Sequence, residues 1–437
     1  MMPALLKKFH RPGMTEMVIF AILAFTALVD LPRLVRPFNI SGVGVGTFAA
    51  VGLAWALFLA RPLLWSHHLK TVFFLICFVA YAASTLLWSD TGIDGVQELV
   101  VLAVFLGLIL VCARETSFDQ GRAHTMLQAF LVSSVLAILM YIYVVYAEIS
   151  SGAKLGDGDD AIDPRSFALY AMLVVAVSLA RWRVARGNRL QQSLPLCWAI
   201  LTTLLVGCSM SRTALVCCLL LFPLSMLLQL TAKGVFQAFG MLIAGGVPFA
   251  LAVEFYPPLH DRFFGYDTSM KLAGVAFNAT GRTRIWNVVL SNVGDDWVFG
   301  KGLASAAILV RSTFNGWIAQ PHNDYFRFYH DVGLLGLCLW LLFAAGFFIR
   351  TFDNLRRSVR NQSADYPLHV AALLAFFAVS CSMLTDNSVI YSFVMMPLAV
   401  IMGCSLGAGE PSVIAVPELE TLQSPQPQPL GRNVRMV

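Results

Sequence analysis

This sequence is poor in charge. Only 13% of its 437 residues are Asp, Glu, Lys or Arg, against 58% that are hydrophobic, whereas a soluble domain carries about 25% charged residues. The mean hydropathy is +0.73. A globular core cannot absorb that much apolar surface but a bilayer can, so a soluble fold is excluded and dividing the length into soluble domains has no meaning. The polar stretches also lack cysteine. Cys77, Cys112, Cys197, Cys208, Cys217, Cys218, Cys338, Cys381 and Cys404 all lie in apolar runs, which argues against a disulfide framework or a cysteine zinc site. The net charge of +5 is modest and calls for no nucleic-acid partner.

What the chain has is long apolar runs. A membrane span needs about 20 mainly apolar residues, and the candidates are 15–35, 40–60, 69–88, 96–113, 124–148, 164–182, 194–210, 212–230, 235–256, 332–350, 366–385 and 388–407. Backbone groups in lipid must satisfy one another, so these segments are expected to be helices. The expected fold is an all-α polytopic membrane protein of about twelve transmembrane helices, with one large periplasmic loop carrying short helices. The weakest division is the turn Ser209-Met210-Ser211 between two spans. The expected organisation is helices 1–9 in 1–256, the loop in 257–331, helices 10–12 in 332–407, and a disordered Pro-rich tail in 408–437.

The bias of Lys and Arg sets orientation. Lys7, Lys8 and Arg11 place the N-terminus in the cytoplasm. Alternate connections hold Arg61 and Lys70; Arg114 and Arg122; Arg181, Arg183, Arg186 and Arg189; Lys233; and Arg350, Arg356, Arg357 and Arg360. The connections between them are poorer in basic residues or acidic, as at Asp90 and Asp94 and at Asp157 to Asp163. Both termini are therefore expected in the cytoplasm and the 257–331 loop outside. No small-residue cleavage site follows the first apolar run, which reads as an uncleaved span.

The 257–331 loop is far longer than an ordinary connection, which points to function. It carries Arg262, Lys271, Arg282, Arg284, Lys301, Arg311 and Arg327, as an anionic ligand would require. In Thr280-Gly-Arg-Thr-Arg-Ile-Trp286, Thr280 is expected to cap a helix running through Val293. Arg282 then stands in the first turn beside free amides, an anion site by construction. Arg284 falls about 200° further around the helix, and Trp286 shares the Arg282 face. The bland alternative is an amphipathic surface helix with solvated arginines. In Gln320-Pro-His-Asn-Asp-Tyr-Phe-Arg327, His322 is expected at the mouth of the bundle with the titration range of a general base, and Asn323 and Asp324 as orienting groups. The alternative is an interfacial histidine beside an aromatic belt of Tyr325, Phe326, Phe328 and Tyr329. In Ser209-Met-Ser-Arg212, Arg212 sits at a membrane edge, either at a functional site or snorkelling. Weaker signals are Gly300-Lys-Gly302, read as a turn; the acidic group Asp157, Asp159, Asp160 and Asp163, which lacks the ligand ladder of a calcium loop; and Asp386-Asn387, in a tight turn where they touch substrate or cap helices.

Taken in order, Ser211-Arg212, Gly281-Arg282 with Trp286, Gly300-x-Gly302 and Pro321-His-Asn-Asp with Gly333-Leu-Leu-Gly336 resemble the O-antigen ligase and O-antigen or exopolysaccharide polymerase superfamily. The resemblance implies a glycosyltransferase similar to the GT-C type, with a periplasmic active site in the bacterial inner membrane. Its donor would be an oligosaccharide or polysaccharide on undecaprenyl pyrophosphate, and its acceptor another lipid-linked unit (polymerase) or the lipid A core (ligase). Gly-Arg-Thr-x-Ile-Trp resembles exopolysaccharide polymerases and tilts the choice that way. Membrane lipid and other polysaccharide assembly and export proteins are the implied partners.

In this reading Arg212 and Arg282, with Arg284 in reserve, hold the pyrophosphate as charge develops on it. His322 takes the proton of the acceptor hydroxyl. Direct displacement inverts the anomeric carbon. No strong metal-ligand set appears in the outer loops, so neither a metal nor a cofactor is expected. The competing class is a secondary transporter or lipid-oligosaccharide flippase, which needs charged residues near the bilayer midplane and often two related halves. A third reading is a non-enzymatic scaffold, in which Arg282 and His322 are dispensable.

Overall fold

The computed structural model describes residues 13–27, 52–53, 66–156, 162–183, 189–265, 270–272 and 275–409. The expected span at 40–60, apart from Gly52 and Leu53, lies outside them. So do the N-terminal basic residues, Asp157 to Asp160 and the tail beyond 409.

The described chain is a helical bundle. Its helices are α1 (Met14–Phe25), α2 (Ser66–Thr85), α3 (Ile93–Phe118), α4 (Gln120–Ser151), α5 (Pro164–Trp182), α6 (Arg189–Cys208), α7 (Arg212–Leu227) and α8 (Ala232–Phe255). Then come α9 (Pro257–Phe264), strands β1 (Met270–Leu272) and β2 (Val275–Phe277), α10 (Arg282–Asn292), α11 (Ser305–Thr313), α12 (Asp324–Asp331), α13 (Gly333–Arg360), α14 (Tyr366–Ser382) and α15 (Ser392–Ala408). Five of these, α3, α4, α5, α8 and α13, are long and apolar enough to cross a membrane; α1, α6, α7, α14, α15 and the apolar part of α2 are shorter apolar helices. The chain is a multi-pass helical membrane protein. The turn at Ser209–Ser211 does divide two helices, with Met210 in the left-handed region at φ 53°. An all-helical reading needs one correction: β1 and β2 form a small antiparallel hairpin, Lys271 opposite Ala276. A three-residue strand carries no periodic signal to read beforehand.

The core is apolar on every side. Every residue of α15 is buried, and nearly all of α5 and α14. A helix hydrophobic all round must be enclosed by others. Helix α15 packs along α3, and α5 packs between α6 and α14. Contact is closest at Gly403 and Gly407, one turn apart on α15, where any Cβ would run into the α3 backbone at Ile109 and Ala113. Small residues at that spacing let two helices approach to backbone contact in lipid. Helix α8 is the opposite case. Phe236, Phe239, Ile243, Val247 and Leu251 are all exposed, as a lipid-facing surface demands.

The segment between α8 and α13 folds across one end of the bundle. Asp331, fully buried, holds it down: one carboxylate oxygen accepts from Ala306 N (2.7 Å) and Ser305 Oγ (2.9 Å), the other from Ala304 N (3.1 Å). The glycines of the sequence motif serve the same junction. Gly300 and Gly333 both have positive φ, and their backbones meet where no Cβ fits. A buried triad completes it: Arg327 bridges Glu98 of α3 (3.1 Å) and Asp324 (3.1 Å). Asp324, wholly buried, is raised to about 6 by that burial, against the pull of Arg327.

Candidate functional site

Four chain ends converge at this end of the bundle: the start of α5, the start of α7, the turn into α10, and the loop from 384 to 391. Each brings a polar group because a helix terminus leaves backbone donors or acceptors without partners inside the helix. Helix α5 begins at Pro164 behind an Asp163 cap, whose Oδ2 accepts from Ser166 N at 3.0 Å. That start aims Arg165 outward. The turn ahead of α7 sets Arg212, whose guanidinium donates to Arg262 O at 2.6 Å, to Asn278 O and to Thr280 Oγ1 at 3.3 Å. Thr280 is thus a partner for Arg212 rather than the helix cap that the sequence suggested. Gly281, at φ 76°, takes the cap position, and α10 starts at Arg282 as expected.

Arg282 is buried among other cations. Burial, followed by the positive charges of Arg165 and Arg212, pulls its guanidinium down to about 10, with Asp386 opposing. No described side chain accepts a hydrogen bond from it. Trp286, one turn on, donates Nε1 to Pro321 O at 3.2 Å and packs edge-on against Phe326. This locks α10 to the segment that carries His322. Arg284 stands elsewhere, over the Phe314 ring with Cζ 5.5 Å from its centroid. The two-residue step that puts Arg282 in the cluster turns Arg284 away from it, onto Phe314.

His322 adopts φ 57°, in the left-handed region, a conformation that costs of order 1–3 kcal/mol outside glycine. The surroundings enforce it. His322 N donates to Asn387 Oδ1 at 2.8 Å, while Asn387 Nδ2 and Arg165 NH2 approach its ring Nδ1 at 2.8 and 2.9 Å. Because Asn387 Oδ1 accepts from a backbone N–H, its Nδ2 is fixed as the donor, and a guanidinium only donates. Both groups therefore donate to Nδ1. That nitrogen keeps its lone pair, and the neutral ring carries its proton on Nε2. Burial, with the charges of Arg165 and then Arg282, pushes the ring down to about 3. A ring held this way offers an N–H to a ligand and has no free nitrogen to receive a proton. This differs from the free base nitrogen that a general-base role calls for.

The neighbours expected to orient His322 face other ways. Asn323 Oδ1 accepts from Phe326 N at 3.0 Å as the α12 cap, and its Nδ2 donates to Leu384 O. Asp324 Oδ2 accepts from Val389 N at 3.0 Å. The orienting groups are Asn387 and Arg165, with Asp386 holding Arg165 Nε through Oδ2 at 2.5 Å. Sequence reasoning noticed Asp386 and Asn387 but placed neither them nor Arg165 beside His322. The available signal was a polar Asp-Asn pair in a turn between two apolar helices, and an arginine directly after a helix-starting Asp-Pro.

Two clefts adjoin the cationic cluster. One, of about 840 Å³, runs past Lys154, Tyr256, Arg262, Asn278 and Thr280. The other, of about 460 Å³, is lined almost wholly by apolar side chains of α6, α7 and α8, including Leu204, Leu219, Pro248 and Phe249. They share Leu155, Met210 and Tyr256, so an apolar groove between helices opens into a polar mouth beside Arg212.

Residues 197–341 match the family described as O-antigen ligase. The match agrees with the resemblance that the motifs carry. No curated protein matches the chain. The matched region contains Arg212, Arg282 and His322. Arg165, Asp386 and Asn387 come to the site from outside it.

Proposed function

We propose that the protein transfers a saccharide from undecaprenyl pyrophosphate to a glycan acceptor at the outer face of the bacterial inner membrane. The observation that carries this is that Arg165 and Arg282 both act on His322 and Arg212 lies within electrostatic reach of Arg282, with Asp386 paired to Arg165. Such a cluster suits a diphosphate, whose charge grows as it leaves. The groove between α6, α7 and α8 suits a polyprenyl chain, since it joins an apolar interior to that cationic mouth.

The acceptor hydroxyl oxygen attacks the anomeric carbon from the face opposite the pyrophosphate. The new C–O bond forms as the bond to the pyrophosphate oxygen breaks, the electron pair leaves with the pyrophosphate, and the proton left on the acceptor oxygen, strongly acidic once that bond forms, passes to water at the outer face. This inverts the carbon. Arg212 and Arg282 hold the departing oxygens, and His322 donates its Nε2–H to one of them. Arg165 holds His322 in that tautomer and adds positive charge. Guanidinium groups supply the electrophilic stabilisation, so the reaction is expected to run in the presence of a metal chelator. The transporter alternative is disfavoured because these charges gather at helix ends rather than midway along helices.

Polymerisation onto a second lipid-linked unit is the favoured reaction, and ligation to the lipid A core the alternative. Mass analysis of lipid-linked glycans in a strain lacking the gene separates them. A polymerase loss leaves single repeat units on the carrier, and a ligase loss leaves long chains. If neither accumulates, the transferase reading fails.

A further inference from the structure

After α10 the chain makes a short turn, Gly294–Trp297, and then crosses the start of α13. The crossing is tight. Val298 O accepts from Leu335 N at 3.1 Å, and any Cβ at Gly333 would run into the same carbonyl. Two side chains from the last turns of α2 and just beyond it fix the next two residues. Tyr81 Oη donates to Phe299 O at 2.7 Å, and Trp88 Nε1 donates to Gly300 O at 3.2 Å. A backbone pinned at three successive carbonyls has little freedom to turn its side chains inward.

Trp297 is 48% exposed and Phe299 61%. They flank Val298, which is half-buried. Single exposed apolar residues are ordinary, whereas a contiguous apolar patch marks a surface that something covers. Continuity shows what covers this one. On α13 the exposed apolar residues are Leu334, Leu335, Leu341, Leu342, Phe348 and Ile349. They recur every two turns, one stripe along a helix long and apolar enough to cross a membrane. Leu335, at the top of that stripe, is the residue bonded to Val298. Trp297 and Phe299 therefore extend the lipid-facing surface past the helix end. Trp88, exposed beside them in the chain segment that holds Gly300, adds to it. The first half of the same turn is acidic: Asp295 and Asp296 are exposed, and Asp296 pairs with Lys301 Nζ at 2.9 Å. Carboxylates followed by an indole and a phenyl ring suit the boundary between head groups and acyl chains, where aromatic side chains gather.

We infer that residues 294–300 are a lipid anchor, with Trp297 and Phe299 inserted into the head-group region of the leaflet at this end of the bundle. The occupant is bilayer lipid rather than protein, because the surface these residues extend is the membrane-facing one. The anchor is tied to α12: Lys301 N donates to His330 O at 2.9 Å and Gly302 N to Asp331 O at 2.7 Å. It thus holds the segment between α10 and α13 down on the membrane. None of this depends on the transferase reading.

The test uses the full chain in nanodiscs of phosphatidylcholine, plain or brominated on its acyl chains near the head group. With nine tryptophans in the chain, Trp297 is read as the emission lost on Trp297→Phe. That share is expected to fall in the brominated bilayer and to hold against iodide in the water. In the Trp297→Phe background, Phe299→Trp places a second reporter two residues on, which should respond in the same way. Both substitutions keep an aromatic ring on a side chain that is open in the fold, so neither disturbs the core. A signal at either position that iodide quenches more than the brominated lipid does puts the turn in water and overturns the proposal. A signal that neither quenches means that protein covers the turn, a second copy or another chain, and overturns it as well.

Discussion

Arg282 and Arg284 share a charge, a helix and a loop, yet one faces three charged neighbours and the other an aromatic ring. Removing a donor that stabilises developing charge costs about 100-fold to 1,000-fold in turnover. Arg282→Ala and Arg212→Ala should each fall in that range in a reconstituted assay, and Arg284→Ala should stay within about twofold, as for a surface change. Equal losses at 282 and 284 would move the anion site. His322 makes a sharper prediction because its tautomer is specified by two donors on one nitrogen. In nitrogen NMR of labelled histidine, with His322→Asn as the difference, the ring should appear neutral and protonated on Nε2 throughout the pH range 5–8, having been pushed down to about 3. An imidazolium signal appearing near the ordinary value of about 6.5 would break the argument. The sign for stability follows. Unfolding lets His322 take a proton below about 6.5, so its contribution falls as pH drops through the window from there to about 3 and is unaffected above it.

Helix ends determine where these side chains stand, and Asp331 shows how. Its buried carboxylate accepts three hydrogen bonds at the start of α11 and ties that helix to α12. Replacing it by alanine leaves two backbone amides buried without partners, at about 1–3 kcal/mol each. Asp331→Ala is expected to lower the unfolding temperature of the purified protein and to loosen the 300–333 junction to protease, with the Arg282 site intact in the fraction that folds. Wild-type melting would show that the junction is held by its glycines alone. Gly300 and Gly333 belong to that backbone crossing, and Gly302 packs against Ser89, so the motif glycines are needed for close packing.

Across the whole molecule, an enclosed core of α5, α14 and α15 is flanked by an exposed α8, and the apolar groove opens along that flank. Gly245 lines the groove with room beside it, its nearest neighbour being Leu219 at 3.9 Å, while Gly246 has open space and no place in the lining. Gly245→Leu should block a polyprenyl chain and raise the donor KM about tenfold, since a tail that loses even two methylene contacts loses roughly 1.5 kcal/mol. Gly246→Leu is the matched control and should leave KM unchanged. Equal kinetics for the two would remove the groove from the donor path.

Composition and hydropathy determined that this chain lives in a membrane as a helical bundle, because nothing else can satisfy so many apolar residues and their backbones at once. Local spacing determined the turn ahead of Arg212, the start of α10 at Arg282 and the motif around His322. Tertiary structure alone decided that Arg165, Asp386 and Asn387 complete the site, since they lie 157, 64 and 65 residues from His322 in the chain. It also decided which groups meet the His322 ring, Arg165 and Asn387 at Nδ1, and those come from two other helix ends. Periodicity along one helix reports which face is apolar. It says nothing about which polar ends of different helices meet.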